Sequence, residues 1–283
     1  MPYKAMALTP GDASGLVLDR FRTQDVPGFL SLADQEGWVC DEWEFNFLLS
    51  AVDAGCFVLR AAGEAVAFVT TCRHERSAWL GNLLVAPFWR SKGAGRRLMA
   101  EALSRLDRDG VATVWLTASA YGQPLYEKLG FYAIDEIRRW RGIGRVGGIM
   151  TTAQSPLAEV LELDRLGWGD SRELLVLATK ARGGLLSLPG GFLVLQGTGA
   201  GVQLGPWGGE PRVAELLLNQ GLAMAGRGNP LFLDSPARNR AAERLLAATG
   251  LDVSGCTVLM YRGEKPAYQP ASVYALASMG SMG

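Results

Sequence analysis

The chain has 283 residues, 48% hydrophobic and 20% charged, with 28 Lys and Arg balanced by 28 Asp and Glu. That length suits two domains better than one, and a net charge of zero argues against general binding to nucleic acid or anionic membranes, so any basic cluster is a local device. Cys40, Cys56, Cys72 and Cys256 form no C-x-x-C pair, and with His74 as the single histidine no metal site is expected. The opening "MPYKAMALTPGDASG" lacks a signal-peptide layout and no apolar run reaches about 18 to 20 residues, so the protein is expected in the cytoplasm.

Taken in order, "TQDVPGFLSLADQEGW" (23–38) and "CDEWEFNFLLSA" (40–51) carry helical apolar spacing. "CFVLRAAGEAVAFVTTCRH" (56–74) predicts a hairpin turning at Ala62 to Glu64, and "SAWLGNLLVAP" (77–87) a third strand stopped by Pro87, which has no N–H for a ladder. "GAGRRLMAEALSRLDRDG" (93–110) predicts an amphipathic helix with Leu98, Ala102, Leu103 and Leu106 on one face and Gly110 at its end. A strand (111–119), a short helix closed by Gly130 (123–130) and a last strand (131–142) complete a mixed α/β layer pattern.

From Gly142 the Gly, Thr and Ser content rises, which marks a connection; residues 1–145 and 156–283 are expected as two domains joined by 146–155. Helices are expected within 155–184 and Gly-turned strands after it, with "GTGAG" read as a hairpin turn since no basic helix follows it. The halves repeat one outline. "VWLTASAYGQPLYEKLGFYAIDEIRRWRG" (114–142) and "LFLDSPARNRAAERLLAATGLDVSGCTVLMYRG" (231–263) each give strand, helix, Gly and a strand ending aromatic-Arg-Gly, and "LGPWGGEPRVAELLL" echoes "VAPFWRSKGAGRRLM" without its basic loop.

That loop, where strand gives way to helix, is suited to an anion: helix N-terminal N–H groups point outward, Gly93 and Gly95 keep side chains away from them, and Arg90, Lys92, Arg96 and Arg97 add charge. It fits neither the P-loop pattern nor a dinucleotide fingerprint; the bland alternative is a solvated basic helix start.

"LLVAP", then "RSKGAG" in the form Q/R-x-x-G-x-G/A, then "PLYEKLGF" about thirty residues on, resembles the acyl-coenzyme A dependent N-acyltransferases of the GNAT superfamily across residues 15–142. The resemblance implies an α/β fold of tandem GNAT-like domains, each a mixed, mostly antiparallel sheet flanked by helices, with the second degenerate. It implies acetyl-CoA as acyl donor, its pantetheine along Leu83, Leu84 and Val85 and its pyrophosphate on Arg90, Ser91, Lys92, Gly93, Ala94, Gly95 and Arg96. Tyr126 falls where the family places a general acid for the leaving thiolate, with Leu125 beside it; a core tyrosine is the other reading. Ser119 stands where an Asn is common. In the second half Asn239 keeps that Asn position, but Leu246 replaces the tyrosine.

The implied reaction is direct attack of a primary amine on the thioester in a ternary complex, with an oxyanion donor among backbone N–H groups near Leu84. The base is open. The strand before the loop offers only Asn82, which could orient a water, while Asp41, Glu42 and Glu44 are alternatives that each read as solvated surface acids. His74 reads as a surface histidine, and Trp38, Trp43 and Phe45 as either acceptor pocket or core. The second domain is expected to cover the acceptor side of a monomer or homodimer. The acceptor is open among amines, with a small molecule favoured over a protein lysine; a non-catalytic acyl-CoA sensor is the rival function.

Overall fold

The computed structural model describes residues 15–50, 55–147 and 154–283, so the opening stretch and most of the expected connection lie outside the described residues. The first half runs β1 (Val17–Arg20), α1 (Val26–Gln35), α2 (Glu42–Ser50), β2 (Phe57–Ala61), β3 (Glu64–Arg73), β4 (Ser77–Val85), α3 (Ala94–Arg108), β5 (Thr113–Ala118), α4 (Gln123–Lys128) and β6 (Tyr132–Ile143). The second runs α5 (Leu157–Trp168), α6 (Glu173–Arg182), β7 (Gly184–Leu188), β8 (Gly191–Thr198), β9 (Gly201–Gly209), α7 (Pro211–Ala225), β10 (Pro230–Pro236), α8 (Arg240–Ala248), β11 (Asp252–Gly263) and β12 (Val273–Ala275). "GTGAG" is the turn between β8 and β9, as its lack of a following basic helix suggested.

The two halves share a single sheet. Its order is β1-β2-β3-β4-β5-β11-β6-β10-β9-β8-β7, with β12 alongside β9. The strand that follows the short helix in each half therefore pairs with the other half: β11 lies between β5 and β6, and β6 lies between β11 and β10. Because β11 runs antiparallel to both β5 and β6, those two are parallel to each other, and parallel strands need a crossover, which α4 supplies. The crossover leaves a one-strand gap, and β11 fills it; β6 fills the equivalent gap between β10 and β11. The repeated strands meet at the centre, Arg138 opposite Cys256 and Ile137 opposite Thr257. A buried ion pair locks the exchange, Arg139 of β6 giving two 2.7 Å bonds to fully buried Asp234 of β10.

Helices cover both faces of the sheet. Leu98, Ala102, Leu103 and Leu106 of α3 are buried on β2 to β5, which is the face their spacing predicted. On the opposite face Phe21, Phe29, Phe45 and Phe68 pack together beneath α1 and α2. The central core mixes both halves: Phe47, Trp79 and Trp115 from the first meet Trp168, Leu259, Leu276 and Met282 from the second.

Candidate active site

Strands β4 and β5 pair in parallel only from Ser77 to Trp79, opposite Thr113 to Trp115, and then part. The V between them is opened further by a bulge. Gly81 faces Thr70 and Leu84 faces Phe68, so three steps on β4 match two on β3, and the extra residue is Asn82, in the left-handed region at φ 52°. Below the bulge Ala86 donates to Val66, so ladder alternation turns the N–H of Leu84 toward β3 and those of Leu83 and Val85 into the V. The N–H that turns into the V is therefore that of Leu83, one residue from the Leu84 around which a backbone donor was expected from sequence.

The cradle lies where β4 ends. A 3-10 turn (Pro87–Trp89) leads into Ser91 at φ 59° and Gly93 at φ 88°, two left-handed positions that bend the loop into the start of α3. Arg97 is the first residue to bond back, to the Gly93 carbonyl, and the N–H groups of Ala94, Gly95 and Arg96 remain at the open helix end. A Cβ on Gly93 would meet nothing within 4 Å, so the space beside the helix start is open, while the φ of 88° itself disfavours any side chain there. These residues fit a pyrophosphate.

The basic side chains divide their tasks. Arg96 is exposed at the cradle. Arg90 turns away, its Nε bonding the Val85 carbonyl at 2.9 Å and its guanidinium pairing with Glu36, so it braces the strand end. Arg97 bonds the Leu16 carbonyl, and Lys92 lies 3.7 Å above the Phe88 ring.

The other wall carries α4. Ser119 accepts from the Gly122 N–H and shapes the start of the helix, with Leu125 and Tyr126 in its first turns. Tyr126 packs edge-on against Phe131, and its hydroxyl makes no hydrogen bond among the described residues. Burial pushes its pKa up to about 12, so it carries its proton at neutral pH.

Two acids on α2 or just before it differ from expectation. Glu42 is exposed, but Asp41 pairs with Arg182 of α6, and Glu44 is buried. Glu44 shares a helix face with Phe47 and Leu48, three and four residues on, and that spacing was the available signal for its burial. Asn82 Nδ2 donates to it at 2.8 Å. Desolvation raises its pKa to about 7, against the hydrogen bonds from Asn82 and Ser281. The bulge residue thus holds a buried carboxylate whose pKa lies near neutrality.

His74 also departs from expectation. It is half-buried rather than a surface group, at the far end of β3, with Nε2 shut off from solvent. Burial and nearby Arg172 bring its pKa down to about 3, which removes it as a base candidate for this cleft. Phe45 is core, Trp38 is exposed, and Trp43 stacks on Phe47 beneath the Arg182 guanidinium. Among the described residues no group of three or more His, Cys, Asp or Glu is placed to hold a metal, and no helix is long and apolar enough to cross a membrane.

The equivalent V in the second half is filled. Beyond Val202 and Gln203, opposite Leu231 and Phe232, β9 and β10 part, and β12 lies between them, paired with β9 and tied to β10 by Leu276 N–H to the Asp234 carbonyl at 2.9 Å. Asn239 caps α8 and donates to the Val273 carbonyl, which anchors β12. In place of the glycine loop, Glu210 stands directly before α7, where its negative charge opposes an anion.

A splayed strand pair with a diphosphate cradle at the helix behind it defines an acyl-CoA-type transferase fold. Residues 40–147 and 160–275 each match a family model described as "Acetyltransferase (GNAT) domain". The chain belongs to the GNAT acetyltransferases and is an acyltransferase with two such domains in tandem. It is 27% identical to the holothin acyltransferase of a Pseudoalteromonas species over 85% of this chain and 87% of that one. It is 37% identical to the [Ribosomal protein bS18]-alanine N-acetyltransferase of Escherichia coli over 26% of this chain and 53% of that one. The crystal structure of a putative acetyltransferase from Pyrococcus horikoshii shares the fold, with a TM-score of 0.82 and 22% identity over 99% of both chains.

Proposed function

We propose that the protein transfers an acetyl group from acetyl-CoA to a small primary amine by direct attack in a ternary complex formed in the first half. The observation that carries this reading is the Glu44–Asn82 pair, a buried carboxylate with a pKa of about 7 bonded to the bulge residue of the strand that leads to the cradle. Glu44 takes the ammonium proton, directly or through one water. The amine nitrogen then bonds to the acyl carbon as the carbonyl electrons move to oxygen, where the Leu83 N–H receives the charge. When the carbonyl re-forms, the C–S bond breaks, the thiolate leaves with the proton of Tyr126, and the tyrosinate regains a proton from the new amide nitrogen, directly or through water. Ser91 to Arg96 hold the pyrophosphate and Leu83 to Val85 the pantetheine.

Closure of the acceptor side supports a small molecule over a protein lysine. Arg182 of the second half pairs with Asp41 and covers Trp43, so α2 is roofed where a folded protein would have to approach. The holothin acyltransferase, similar over most of its length, has a name that specifies a small-molecule acceptor.

The test is release of the free CoA thiol from acetyl-CoA across a panel of primary amines. Turnover is expected with some member, with Tyr126→Phe reducing kcat about 100-fold or more and leaving acetyl-CoA affinity unchanged. Tight acetyl-CoA binding without turnover across the panel would favour the non-catalytic sensor instead.

A further inference from the structure

One segment of chain crosses both Vs at the same height. In the second half "QLGPWGGEP" (203–211) stands where the first has "WLGNLLVAP" (79–87), and the strand registers make Gly205 the counterpart of Gly81 and Asp234 that of Thr117. At the second V, a Cβ on Gly205 would overlap the Leu276 carbonyl, and the Leu276 N–H bonds the Asp234 carbonyl. Further on, the Gly280 carbonyl lies where a Cβ on Gly81 would fall and accepts from the Asn82 N–H at 3.3 Å, while the Met279 carbonyl accepts from the Thr117 hydroxyl.

The two Vs differ in how far they are filled. In the second, β12 continues along β9 as far as Gly208. In the first, the segment meets β4 at Gly81 and Asn82, one residue before the N–H of Leu83 that turns into the V. Ser281 and Met282 are each 1% exposed, and Met282 joins the core with Phe47 and Trp79, so the segment is anchored. Gly280 itself is exposed, and a Cβ on it would meet nothing within 4 Å.

We propose that Gly280 is the floor of the acyl pocket and limits the donor to short acyl chains. The inference rests on the donor placement given above, with the pyrophosphate at the cradle, the pantetheine along Val85 and Leu83, and the acyl oxygen at the Leu83 N–H. With its oxygen on β4 and its sulfur on the cradle side, a trigonal acyl carbon directs its alkyl group the other way, toward Asn82. A strand rises about 3.3 Å per residue, and carbon atoms rest against one another at about 3.5 to 4 Å. A methyl therefore sits against Gly280, and a longer chain runs into the Met279–Gly280 peptide. That peptide is backbone bonded to both walls, so it cannot swing aside as a side chain would. The second half, whose own V is filled, thus sets the depth of the first.

The experiment is calorimetry of the full chain with free CoA, acetyl-CoA, propionyl-CoA and hexanoyl-CoA. Hexanoyl-CoA is expected to bind wild type at least about tenfold more weakly than acetyl-CoA. Gly280 lies outside the left-handed region, so a side chain there adds no backbone strain. Gly280→Ala should lower propionyl-CoA affinity about tenfold relative to acetyl-CoA, and Gly280→Val should weaken acetyl-CoA as well. Free CoA, which has no acyl group, should bind wild type and both variants alike, and that result also shows that the variants are folded. Equal affinity for all chain lengths in wild type overturns the proposal and leaves the donor placement standing. An equal loss for all four ligands in the variants also overturns it. Failure of wild type to bind either free CoA or acetyl-CoA overturns the donor placement itself, and the floor with it.

Discussion

Glu44→Gln replaces the buried carboxylate by an amide of nearly the same shape, whose oxygen still accepts from Asn82. The folded wild type keeps Glu44 protonated up to about pH 7, whereas the unfolded chain releases that proton near 4.5. Between those values the folded state binds more protons, so stability is fully present below pH 4.5 and falls as pH rises through 7. At about 1.4 kcal/mol per pH unit the fall amounts to about 3 kcal/mol. Glutamine does not titrate, so Glu44→Gln should be more stable than wild type at pH 8 by about that amount, relative to the difference at pH 4. Urea unfolding followed by tryptophan fluorescence at the two pH values measures this double difference. The same variant should lose the limb of the pH–rate profile near 7, while the limb from the amine's own ionisation stays. Equal stability differences at both pH values would refute the burial argument, and a surviving limb near 7 would refute the base assignment.

Other outcomes follow from the same geometry. Gly93→Val should weaken acetyl-CoA binding tenfold or more by calorimetry, since it fills the cradle and adds about 1 to 2 kcal/mol of left-handed strain. Asp234→Ala leaves Arg139 buried without its partner and should cost about 3 to 5 kcal/mol in a single urea transition; two separate transitions would show that the halves fold independently despite their exchanged strands. Gly81→Val should lower both stability and turnover, because its side chain meets the Gly280 carbonyl; unchanged values in melting and CoA-release assays would show that the segment is not seated there.

The shape of the loop was legible in "RSKGAG", because a left-handed turn into an open helix end is a local device whose glycines and bases are adjacent in the chain. Tyr126 was legible by resemblance alone, and its burial against Phe131 came from the fold. Arg90 shows the limit of residue type: it belongs to the motif but spends its guanidinium on Val85 and Glu36. Glu44 read as one of three surface acids, since neighbouring carboxylates on a short helix differ only in the face that another element covers. Nothing in "ASVYALASMGSMG" signalled a role, yet its small residues are what permits backbone to approach backbone inside a sheet.

The sequence by itself determined the helices, the strands, the twofold repeat and which half keeps an anion loop, because each depends on period, turn chemistry or residues within a few positions of one another. Only the tertiary structure decided that β6 and β11 change places, that β12 closes one V while the Gly280 carbonyl meets the Asn82 N–H in the other, and that Glu44 is buried beside Asn82 with its pKa raised to about 7. Those outcomes depend on which strand edge and which helix face remain open once every other element has packed, a competition between segments up to two hundred residues apart that no local pattern records.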